Sequence, residues 1–272
     1  MKSNVILITG ASSGIGFESA MALAKQGHRV YAAARRVELM EPLQEHHVHV
    51  LKMDVTDEAS MKQGVETILQ SEGRIDVLIN NAGYGYFGAI ENVSLEEARR
   101  QLEVNVFGLA ALTKLVLPHM RAQKSGRIIN IASVAGKTVF QFGGWYHVSK
   151  YSVEALSDAL RIELKPFGID VSIIEPGAIK TNWGLIAADH LEESSRGTAY
   201  ETAGLREAAF LRKGYTGNII SKPTVISRAI SKAVNSRRPR TRYLTGFGSH
   251  TAIFFHWLLP DRWWDAIMRK AG

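Results

Sequence analysis

The feature that most constrains the fold is an alternation of short apolar runs with longer segments of helical periodicity. The first six runs are nearly continuous in hydrophobic residues, with none of the polar alternation of a half-exposed strand. Such runs are typical of parallel strands that are covered on both faces. The pattern predicts a single α/β domain over residues 1–272, built on a doubly wound parallel sheet with helices on both faces. The seven predicted strands are 4–10, 28–34, 48–54, 75–83, 126–133, 169–177 and 242–248.

Composition excludes some classes of protein and leaves others open. The chain has no cysteine, which rules out a disulfide framework and a thiolate metal site, and we predict no metal site of any kind. The first apolar run is too short for a signal peptide or a membrane span, so we expect a cytoplasmic protein. The net charge of +7 is compatible with nucleic acid or an anionic membrane as a partner. A solvated basic face together with an anionic-cofactor site explains the charge better.

Two late regions break the strand–helix rhythm. Residues 182–220 form a long connection without strand character, and connections of this length are often lids or binding segments. We expect this segment to close over the substrate. Residues 249–272 form an aromatic-rich C-terminal extension that Pro260 interrupts. For its apolar residues and the nearby Arg262, Arg269 and Lys270, packing on the domain or on a neighbouring subunit is favoured over contact with a membrane.

A glycine-rich loop follows the first predicted strand, in the sequence TGASSGIG at 9–16. Glycines allow the backbone to approach a ligand closely, and the helix that follows offers free N–H groups to a pyrophosphate. The spacing differs from G-x-G-x-x-G, so this loop alone is a weak signal. It predicts a Rossmann-like dinucleotide site whose loop residues are Gly10, Ser12, Ser13, Gly14, Ile15 and Gly16.

The end of the second predicted strand indicates which dinucleotide is bound. A carboxylate about twenty residues beyond the glycines would bind the ribose 2′-hydroxyl of NAD. This position instead reads Ala34-Arg35-Arg36, and a guanidinium can pair with a 2′-phosphate. We therefore predict NADP(H) rather than NAD(H), with Arg35 as the first candidate and Arg36 as the second. Asp54, followed by Val55, is a candidate for the adenine, although an aspartate after a strand is often only a turn residue.

Tyr146 and Lys150 are four residues apart in a predicted helix, so they lie on the same face. A free tyrosine has a pKa of roughly 10, and a nearby ammonium lowers it by favouring the phenolate. Such a pair could exchange protons with a substrate. By itself the spacing is weak evidence, because surface tyrosine–lysine pairs are common.

Further motifs occur in a fixed order around this pair. NNAG covers 80–83, Asn105 lies in VNVFG, Ser133 ends IAS, and PGAIKT covers 176–181. Together with the glycine loop, this set resembles the classical short-chain dehydrogenase/reductase family over residues 4–181, and the tail more loosely resembles the hydroxysteroid and retinol dehydrogenase branch. One departure is Ser13, where many NADP-preferring members carry a basic residue.

The resemblance implies roles for these residues. Tyr146 would be the general acid/base, Lys150 would lower its pKa and bind the nicotinamide ribose, and Ser133 would hydrogen-bond the substrate oxygen. Asn105 would hold a water that links Lys150 to solvent. The resemblance also implies a homodimer or homotetramer. The remaining cofactor contacts that it implies are Asn81, Ala82, Gly83, Pro176, Gly177, Ile179 and Thr181.

We therefore predict an oxidoreductase that interconverts a ketone or aldehyde and an alcohol. Aromatic residues around the predicted centre favour a lipophilic substrate, such as a steroid or retinoid, although many of them could equally be core. Ser133 could be a simple cap, and His147 is expected to be structural because it points about 100° away from Tyr146 around the helix. The main alternative is a non-catalytic NADP(H) sensor. A nucleic-acid binder has only charge in its favour, and a sugar-nucleotide epimerase fits the glycine loop poorly.

Overall fold

The computed structural model describes residues 3–271, with side chains described as far as Arg269. Seven strands form one sheet in the order β3-β2-β1-β4-β5-β6-β7, and every neighbouring pair is parallel. The predicted doubly wound sheet is therefore confirmed, and the predicted strands are correct apart from ends that extend a few residues too far. The strands are β1 (Val5–Thr9), β2 (Arg29–Ala34), β3 (His49–Lys52), β4 (Val77–Asn80), β5 (Gly126–Ile131), β6 (Ile169–Pro176) and β7 (Arg242–Thr245).

The helices that cover the sheet follow the strands in the expected alternation. A π-helical segment and a short 3₁₀ turn accompany these helices and are described below with the site. The helices are α1 (Gly14–Ala24), α2 (Glu41–Gln44), α3 (Glu58–Glu72), α4 (Leu95–Leu102), α5 (Leu109–Gln123), α6 (Gly144–Leu164), α7 (Trp183–Ser195), α8 (Glu201–Thr216), α9 (Pro223–Asn235), α10 (Ser249–Leu258) and α11 (Asp261–Ala271).

The core consists of two apolar layers, one on each face of the sheet. In β1, Ile6 and Ile8 face the layer that includes α1 and α9, whereas Val5 and Leu7 face the layer that includes α3 and α5. All four side chains are at most 2% exposed. Burial on both faces explains why the strand sequences lack polar alternation.

The strand order places a topological switch at β1. The chain moves from β1 to β2 and β3 on one side, then returns to β4 on the other side of β1. Ligands of doubly wound sheets bind in the crevice beyond the carboxyl ends of the strands at such a point. The loops after β1, β4, β5 and β6 all lie at this edge, and they carry most of the predicted site residues.

The long connection between β6 and α9 forms two helices, α7 and α8, which pack on each other and on residues near Tyr146. The C-terminal extension forms α10 and α11, with Pro260 between them as expected. Within residues 3–271, none of the helices combines the length and the hydrophobicity that crossing a bilayer requires.

Candidate active site

The glycine loop after β1 is folded tightly against its own neighbours. Gly10 and Gly14 have φ angles of +66° and +56°, which disfavour any residue with a side chain. A Cβ at Gly10 would lie 2.7 Å from the Cα of Ala82, and one at Gly16 would lie 2.5 Å from the carbonyl oxygen of Gly10. The glycines are thus required by the loop's own packing, a constraint in addition to the predicted approach of a ligand.

Thr9 and Asn81 hold this loop against the end of β4. The hydroxyl of Thr9 accepts hydrogen bonds from the backbone N–H groups of Asn81 and Ala82, both at 3.1 Å. The side-chain amide of Asn81 donates to the carbonyl oxygens of Thr9 and Gly10, at 2.9 and 3.2 Å. Sequence reasoning missed Thr9, because one threonine at a strand end carries no distinctive signal. The Asn81 side chain secures the loop, and Gly83 beside it is exposed.

The start of α1 is suited to an anion. Ser13 precedes the helix without a side-chain capping bond, and the first turn contains no acidic residue. The first N–H groups of a helix need acceptors from outside it, and a pyrophosphate would supply them. A cavity of about 270 Å³ adjoins this helix end, lined by Ser13, Gly14, Phe17, Glu18, Lys180, Thr181, Asn182 and Pro223. The residues present therefore fit the diphosphate of a dinucleotide.

The other predicted loop residues have varied surroundings. Ser12 is half-buried in the loop, while the side chain of Ile15 packs against the core. Gly177 lies so close to the loop after β7 that a Cβ there would be 2.1 Å from the Phe247 carbonyl oxygen. Pro176 ends β6, Ile179 is buried, and Thr181 lies against Gly14. The loops after β1 and β6 therefore meet at one edge.

Arg35 and Arg36 follow β2 and are both exposed. Neither forms a salt bridge with any part of the chain that the structure describes. Asp54 forms a local turn, since its Oδ1 accepts from the N–H and the hydroxyl of Thr56 at 3.0 and 2.8 Å. Val55 next to it is half-buried. Asp54 is thus a turn residue, as the sequence allowed. The structure shows no hydrogen bond to its second carboxylate oxygen.

Tyr146 and Lys150 lie one turn apart on α6, and both side chains are 7% exposed. The Lys150 ammonium donates to the Ile131 carbonyl oxygen at the end of β5, over 2.8 Å, and lies 5.8 Å from the centre of the Tyr146 ring. This bond fixes the lysine against the sheet edge. Helix α6 thereby delivers both side chains to the carboxyl end of β5.

Ser133 caps a short helical turn, which is one of the two roles that the sequence left open, and it does so beside Tyr146. Its Oγ accepts from the Ala135 N–H at 3.1 Å, which starts a short 3₁₀ turn over Val134–Gly136. The same Oγ donates to the Pro176 carbonyl oxygen at 3.4 Å, and the hydroxyl lies close enough to the Tyr146 phenol to lower the pKa of that group. The structure therefore brings Ser133 and Tyr146 together, although twelve residues separate them in the sequence.

Asn105 lies where regular helix geometry fails. Residues Glu103–Gly108 form a π-helical segment between α4 and α5. Its side-chain amide donates to the Tyr84 carbonyl oxygen at 2.8 Å and to Ser149 Oγ at 3.0 Å, while its Oδ1 accepts from the Tyr84 N–H at 3.0 Å. Both N–H donors of the amide are used, so only one lone pair of Oδ1 is left to accept a hydrogen bond from a water. A Cβ at Gly83 would lie 3.0 Å from that oxygen and 3.8 Å from Lys150 Nζ, so both atoms border the same small space.

The pKa values of the pair are set mainly by burial. Burial raises the pKa of Tyr146 well above its usual value, and the nearby Ser133 hydroxyl opposes that rise. Burial lowers the pKa of Lys150 to about 8, opposed by the negative charge of Glu154. Loss of solvation of the phenolate is thus the largest influence on the Tyr146 pKa, and the lowering expected from Lys150 stays a prediction.

A buried charge cluster behind Lys150 was missed by sequence reasoning. Glu154 and Glu175 are 4% and 3% exposed. Lys137 Nζ lies 3.0 Å from Glu154, and Arg242 bridges Glu154 at 3.1 Å to Glu175 at 3.3 Å. Arg242 also contacts Asp158 at 2.6 Å. Four segments far apart in sequence contribute to this cluster, so no local pattern could have predicted it.

An apolar cluster covers the phenol ring of Tyr146. The Trp183 indole, at the start of α7, lies 4.9 Å from the Tyr146 ring between centroids, and Phe87 lies 5.9 Å from it. The apolar residues that the sequence places around the predicted centre are Tyr84, Tyr86, Phe87, Val139, Phe140, Phe142, Trp145 and Trp183. Of these, Phe87, Phe140, Phe142 and Trp183 belong to this cluster. Tyr84, Tyr86, Val139 and Trp145 do not, and Val139 is exposed.

His147 makes only structural bonds, as expected. Its Nε2 accepts from the Phe140 N–H at 3.1 Å, so its Nδ1 is the protonated nitrogen that donates to the Ala135 carbonyl oxygen at 2.9 Å. Burial lowers the pKa of this imidazole and keeps it neutral. Its function is to fix the segment that joins Ser133 to Tyr146.

A parallel sheet with a glycine loop at its switch point and a buried tyrosine–lysine pair beside it defines an oxidoreductase of the dinucleotide-binding class. The sequence model described as "short chain dehydrogenase" matches residues 4–187. The chain belongs to this family of short-chain dehydrogenases/reductases, as its motifs predicted.

Similar proteins extend over nearly the whole chain. A 3-ketodihydrosphingosine reductase of Bacteroides thetaiotaomicron is 38% identical over 274 residues, covering 99% of this chain and 98% of that protein. A probable short-chain type dehydrogenase/reductase of Helicobacter pylori is 36% identical, covering 97% and 96%. The crystal structure of a short-chain dehydrogenase from Streptomyces avermitilis superposes with a TM-score of 0.82 at 32% identity, covering 98% and 96%. Among other similar structures, an alcohol dehydrogenase from Thermococcus sibiricus is complexed with 5-hydroxy-NADP, and a 3-ketoacyl-(acyl-carrier-protein) reductase from Brucella melitensis is complexed with NADH.

Proposed function

We propose that this protein is an NADP(H)-dependent oxidoreductase that interconverts a lipophilic ketone and its secondary alcohol, with Tyr146 as the general acid/base. The observation that carries the proposal is the convergence of the Tyr146 hydroxyl and Ser133 at the carboxyl edge of the sheet, with Lys150 one helical turn away. A buried phenol with a serine hydroxyl and a buried ammonium beside it is an unusual arrangement for a purely structural side chain.

Each side chain has a role that follows from its position. The cofactor, when bound, supplies or accepts the hydride. Tyr146 donates its proton to the carbonyl oxygen as negative charge develops there, a contribution of roughly 100- to 10,000-fold. Ser133 donates a second hydrogen bond to that oxygen, stabilising the same charge. Lys150, held by the Ile131 carbonyl, places a positive charge beside the phenol and favours the deprotonated form that follows.

Asn105 is proposed to position Lys150 and its route to solvent. Its side chain ties the backbone of Tyr84 to Ser149 on α6, which keeps the helix and the loop after β4 in register. The free lone pair of Oδ1 borders the space beside Gly83 that Lys150 Nζ also borders. A water in that space would accept a proton from the ammonium and pass it outward.

NADP(H) rather than NAD(H) is proposed as the cofactor. Arg35 and Arg36 supply positive charge at the end of β2, where no carboxylate opposes a 2′-phosphate. Both guanidiniums are exposed, which leaves their hydrogen-bond donors available to an anion.

The proposed substrate is a ketone with a long aliphatic chain. The surroundings of Tyr146 are apolar, and helices α7 and α8 contribute much of that cover, which supports a lid over residues 182–220. The Bacteroides relative acts, by its name, on 3-ketodihydrosphingosine, and the similarity covers almost all of both chains. A flexible chain can pass between packed helices more easily than a rigid ring system can.

A homodimer or homotetramer is also proposed. Several large apolar side chains point outward from α6 and from the π-helical segment, namely Phe107, Val148, Tyr151 and Ile162. A helical interface between copies would bury them. Light scattering on the purified chain would give the oligomeric state.

The test is a turnover assay with NADPH and with NADH over three ketones, namely 3-ketodihydrosphingosine, a 3-ketosteroid and a short water-soluble ketone. Wild type should reduce the long-chain ketone best and prefer NADPH. Tyr146→Phe should lose at least 100-fold in kcat. Tyr151→Phe, an exposed tyrosine on the same helix, is the matched control and should retain activity.

Two outcomes would contradict the proposal. Full activity in Tyr146→Phe would remove Tyr146 from the mechanism. Tight NADPH binding without turnover of any ketone would favour the alternative, a non-catalytic sensor of the dinucleotide.

A further inference from the structure

We propose that α10 and α11 dock this protein onto the surface of an anionic lipid bilayer, with the docked face beside the active site. The surface consists of Phe254, Phe255, Trp257, Leu258, Trp263 and Ile267, and is called here the C-terminal apolar surface. The inference goes beyond the proposed function. It rests on that function in one respect, since docking would serve to deliver a lipophilic ketone from the membrane.

All six side chains of this surface are exposed. Trp257 is 77% and Trp263 67% exposed. The rings of Phe254 and Phe255 pack on each other at 5.5 Å, and Phe254 lies 6.5 Å from Trp257, so they form one aromatic patch rather than scattered residues. Contiguous exposed apolar patches mark surfaces that contact a partner or a membrane.

The composition of α10 is the opposite of that of a helix that faces water. Its ten residues, SHTAIFFHWL, include no aspartate, glutamate, lysine or arginine. A helix on the surface of a globular domain normally turns a charged or polar face outward. Besides the members of the C-terminal apolar surface, the exposed residues of α10 are His250 and Thr251.

The domain itself does not cover this surface. The sequence favoured packing on the domain or on another subunit, and Trp264 does pack inward, at 7% exposure. Its indole N–H donates to the Val139 carbonyl oxygen at 3.2 Å. The six residues of the C-terminal apolar surface, however, are at least 44% exposed on this chain. Lys270, which the sequence placed in the same cluster, has a side chain outside the described residues.

The bond from Trp264 to Val139 fixes where the surface lies. Val139 belongs to the segment that joins Ser133 to Tyr146, and α10 also contacts the 3₁₀ turn that Ser133 starts. Val139 and Phe247 are themselves about half exposed, at 49% each, and continue the apolar character beside α10. A membrane under α10 and α11 would therefore meet the protein next to its catalytic residues.

The chemistry of the surface favours lipid over a second copy of the chain. Tryptophan is preferred at bilayer interfaces because its indole has an apolar body and one polar N–H group. Arg262 and Arg269 are seven residues apart, so they share one side of α11, about 100° from Trp263, where they can reach lipid phosphates. Asp261 and Asp265 lie on the same helix and reduce this local charge, while the chain as a whole carries +7. An amphipathic pair of short helices with these features lies in the interface rather than across the membrane.

The test measures binding of the full chain to vesicles, without substrate. Co-sedimentation compares two kinds of vesicle. One is pure phosphatidylcholine, and the other contains about 30% phosphatidylserine, which is roughly the anionic content of natural membranes. The variant is Trp257→Ser with Trp263→Ser, which changes exposed side chains only. The control is Phe210→Ser, an exposed aromatic on α8 outside the surface.

We expect wild type and the control to bind the anionic vesicles, more weakly in high salt, and the double variant to bind at least tenfold more weakly. Equal binding by the double variant, or no binding by wild type, would overturn the proposal. Light scattering measures the oligomeric state of both proteins. If wild type does not bind vesicles but forms an oligomer that the double variant cannot form, the surface joins two copies of the chain instead.

Turnover of a short water-soluble ketone separates this proposal from the proposed function. The double variant should reduce that ketone at the wild-type rate, because neither tryptophan lies in the catalytic or cofactor residues. Vesicle binding without turnover in wild type would contradict the proposed function alone. Turnover without vesicle binding would contradict docking alone.

Discussion

The indole of Trp183 lies 4.9 Å from the phenol ring of Tyr146, and the Phe87 ring meets that indole edge-on at 5.6 Å. Trp183 is the first residue of α7, so the helix that covers the site begins directly on the proposed acid. Gly85 allows this contact, since a Cβ there would lie 2.5 Å from the indole. Trp183 therefore covers part of the Tyr146 ring.

Trp183→Ala should therefore weaken the binding of lipophilic ketones. We expect KM for a long-chain ketone to rise about tenfold, since the lost apolar contact is worth roughly 1–3 kcal/mol. The dissociation constant of NADPH should not change, and fluorescence titration measures it. Phe210→Ala, on the same segment but exposed, is the control. An unchanged KM, or weaker NADPH binding, would count against residues 182–220 as a substrate lid.

Glu154→Gln should shift the alkaline limb of the pH profile. The pKa of Lys150 is lowered to about 8 by burial, and the charge of Glu154 opposes that shift. The ammonium is present below that pH and is lost above it, so kcat/KM for ketone reduction should fall as pH rises past about 8. Without the Glu154 charge, the fall should begin roughly one pH unit lower.

The matched control for this profile is Asp158→Asn. Asp158 lies one turn beyond Glu154 and shares Arg242 with it, but it does not contribute to the pKa shift of Lys150. Its profile should follow wild type. If both variants shift equally, the effect comes from Arg242 and the cluster as a whole rather than from Glu154.

Arg35→Ser should reduce the preference for NADPH. Loss of a charge-assisted contact with a phosphate should raise KM for NADPH by about 10- to 100-fold, while KM for NADH stays the same. Arg36→Ser should have a smaller effect in the same assay. Equal losses with both dinucleotides would mean that the arginines support the loop rather than recognise the 2′-phosphate.

Glu175→Gln should stabilise the protein at alkaline pH. Burial raises the pKa of Glu175 from its usual 4.5 to about 7, and the charge of Glu154 adds to the rise. Between those values the folded protein retains a proton that the unfolded chain releases. The contribution of Glu175 to the free energy of unfolding is therefore complete below pH 4.5 and is lost as pH rises through about 7.

The glutamine variant lacks this titration, so its free energy of unfolding should exceed that of wild type at pH 8 by at most about 3 kcal/mol. The gap should shrink toward pH 5. Thermal unfolding at several pH values measures it, with the exposed Glu163→Gln as the control. A Glu175→Gln protein that is less stable than wild type at pH 8 would show that the Glu175–Arg242 contact outweighs the burial of the carboxylate.

Several parts of the site were predictable from local sequence. Tyr146 and Lys150 share a helix, so their spacing alone placed them on one face. Asn105 was identified from its motif VNVFG, and the structure places it in a π-helical segment, with its amide bonded to Tyr84 and Ser149. Thr9 and the Glu154–Glu175–Arg242 cluster were not predictable, because their partners are distant in sequence.

The sequence by itself determined the sheet, its layers and the order of the motifs, since those depend on the periodicity of apolar residues and on turn residues that act over a few positions. The tertiary structure decided which residues meet. It placed Trp183 on Tyr146, left the aromatic face of α10 uncovered, and made burial the main influence on the pKa of Tyr146 and of Lys150. Solvation and long-range contacts depend on how helices and strands pack together, and no local pattern of residues encodes that packing.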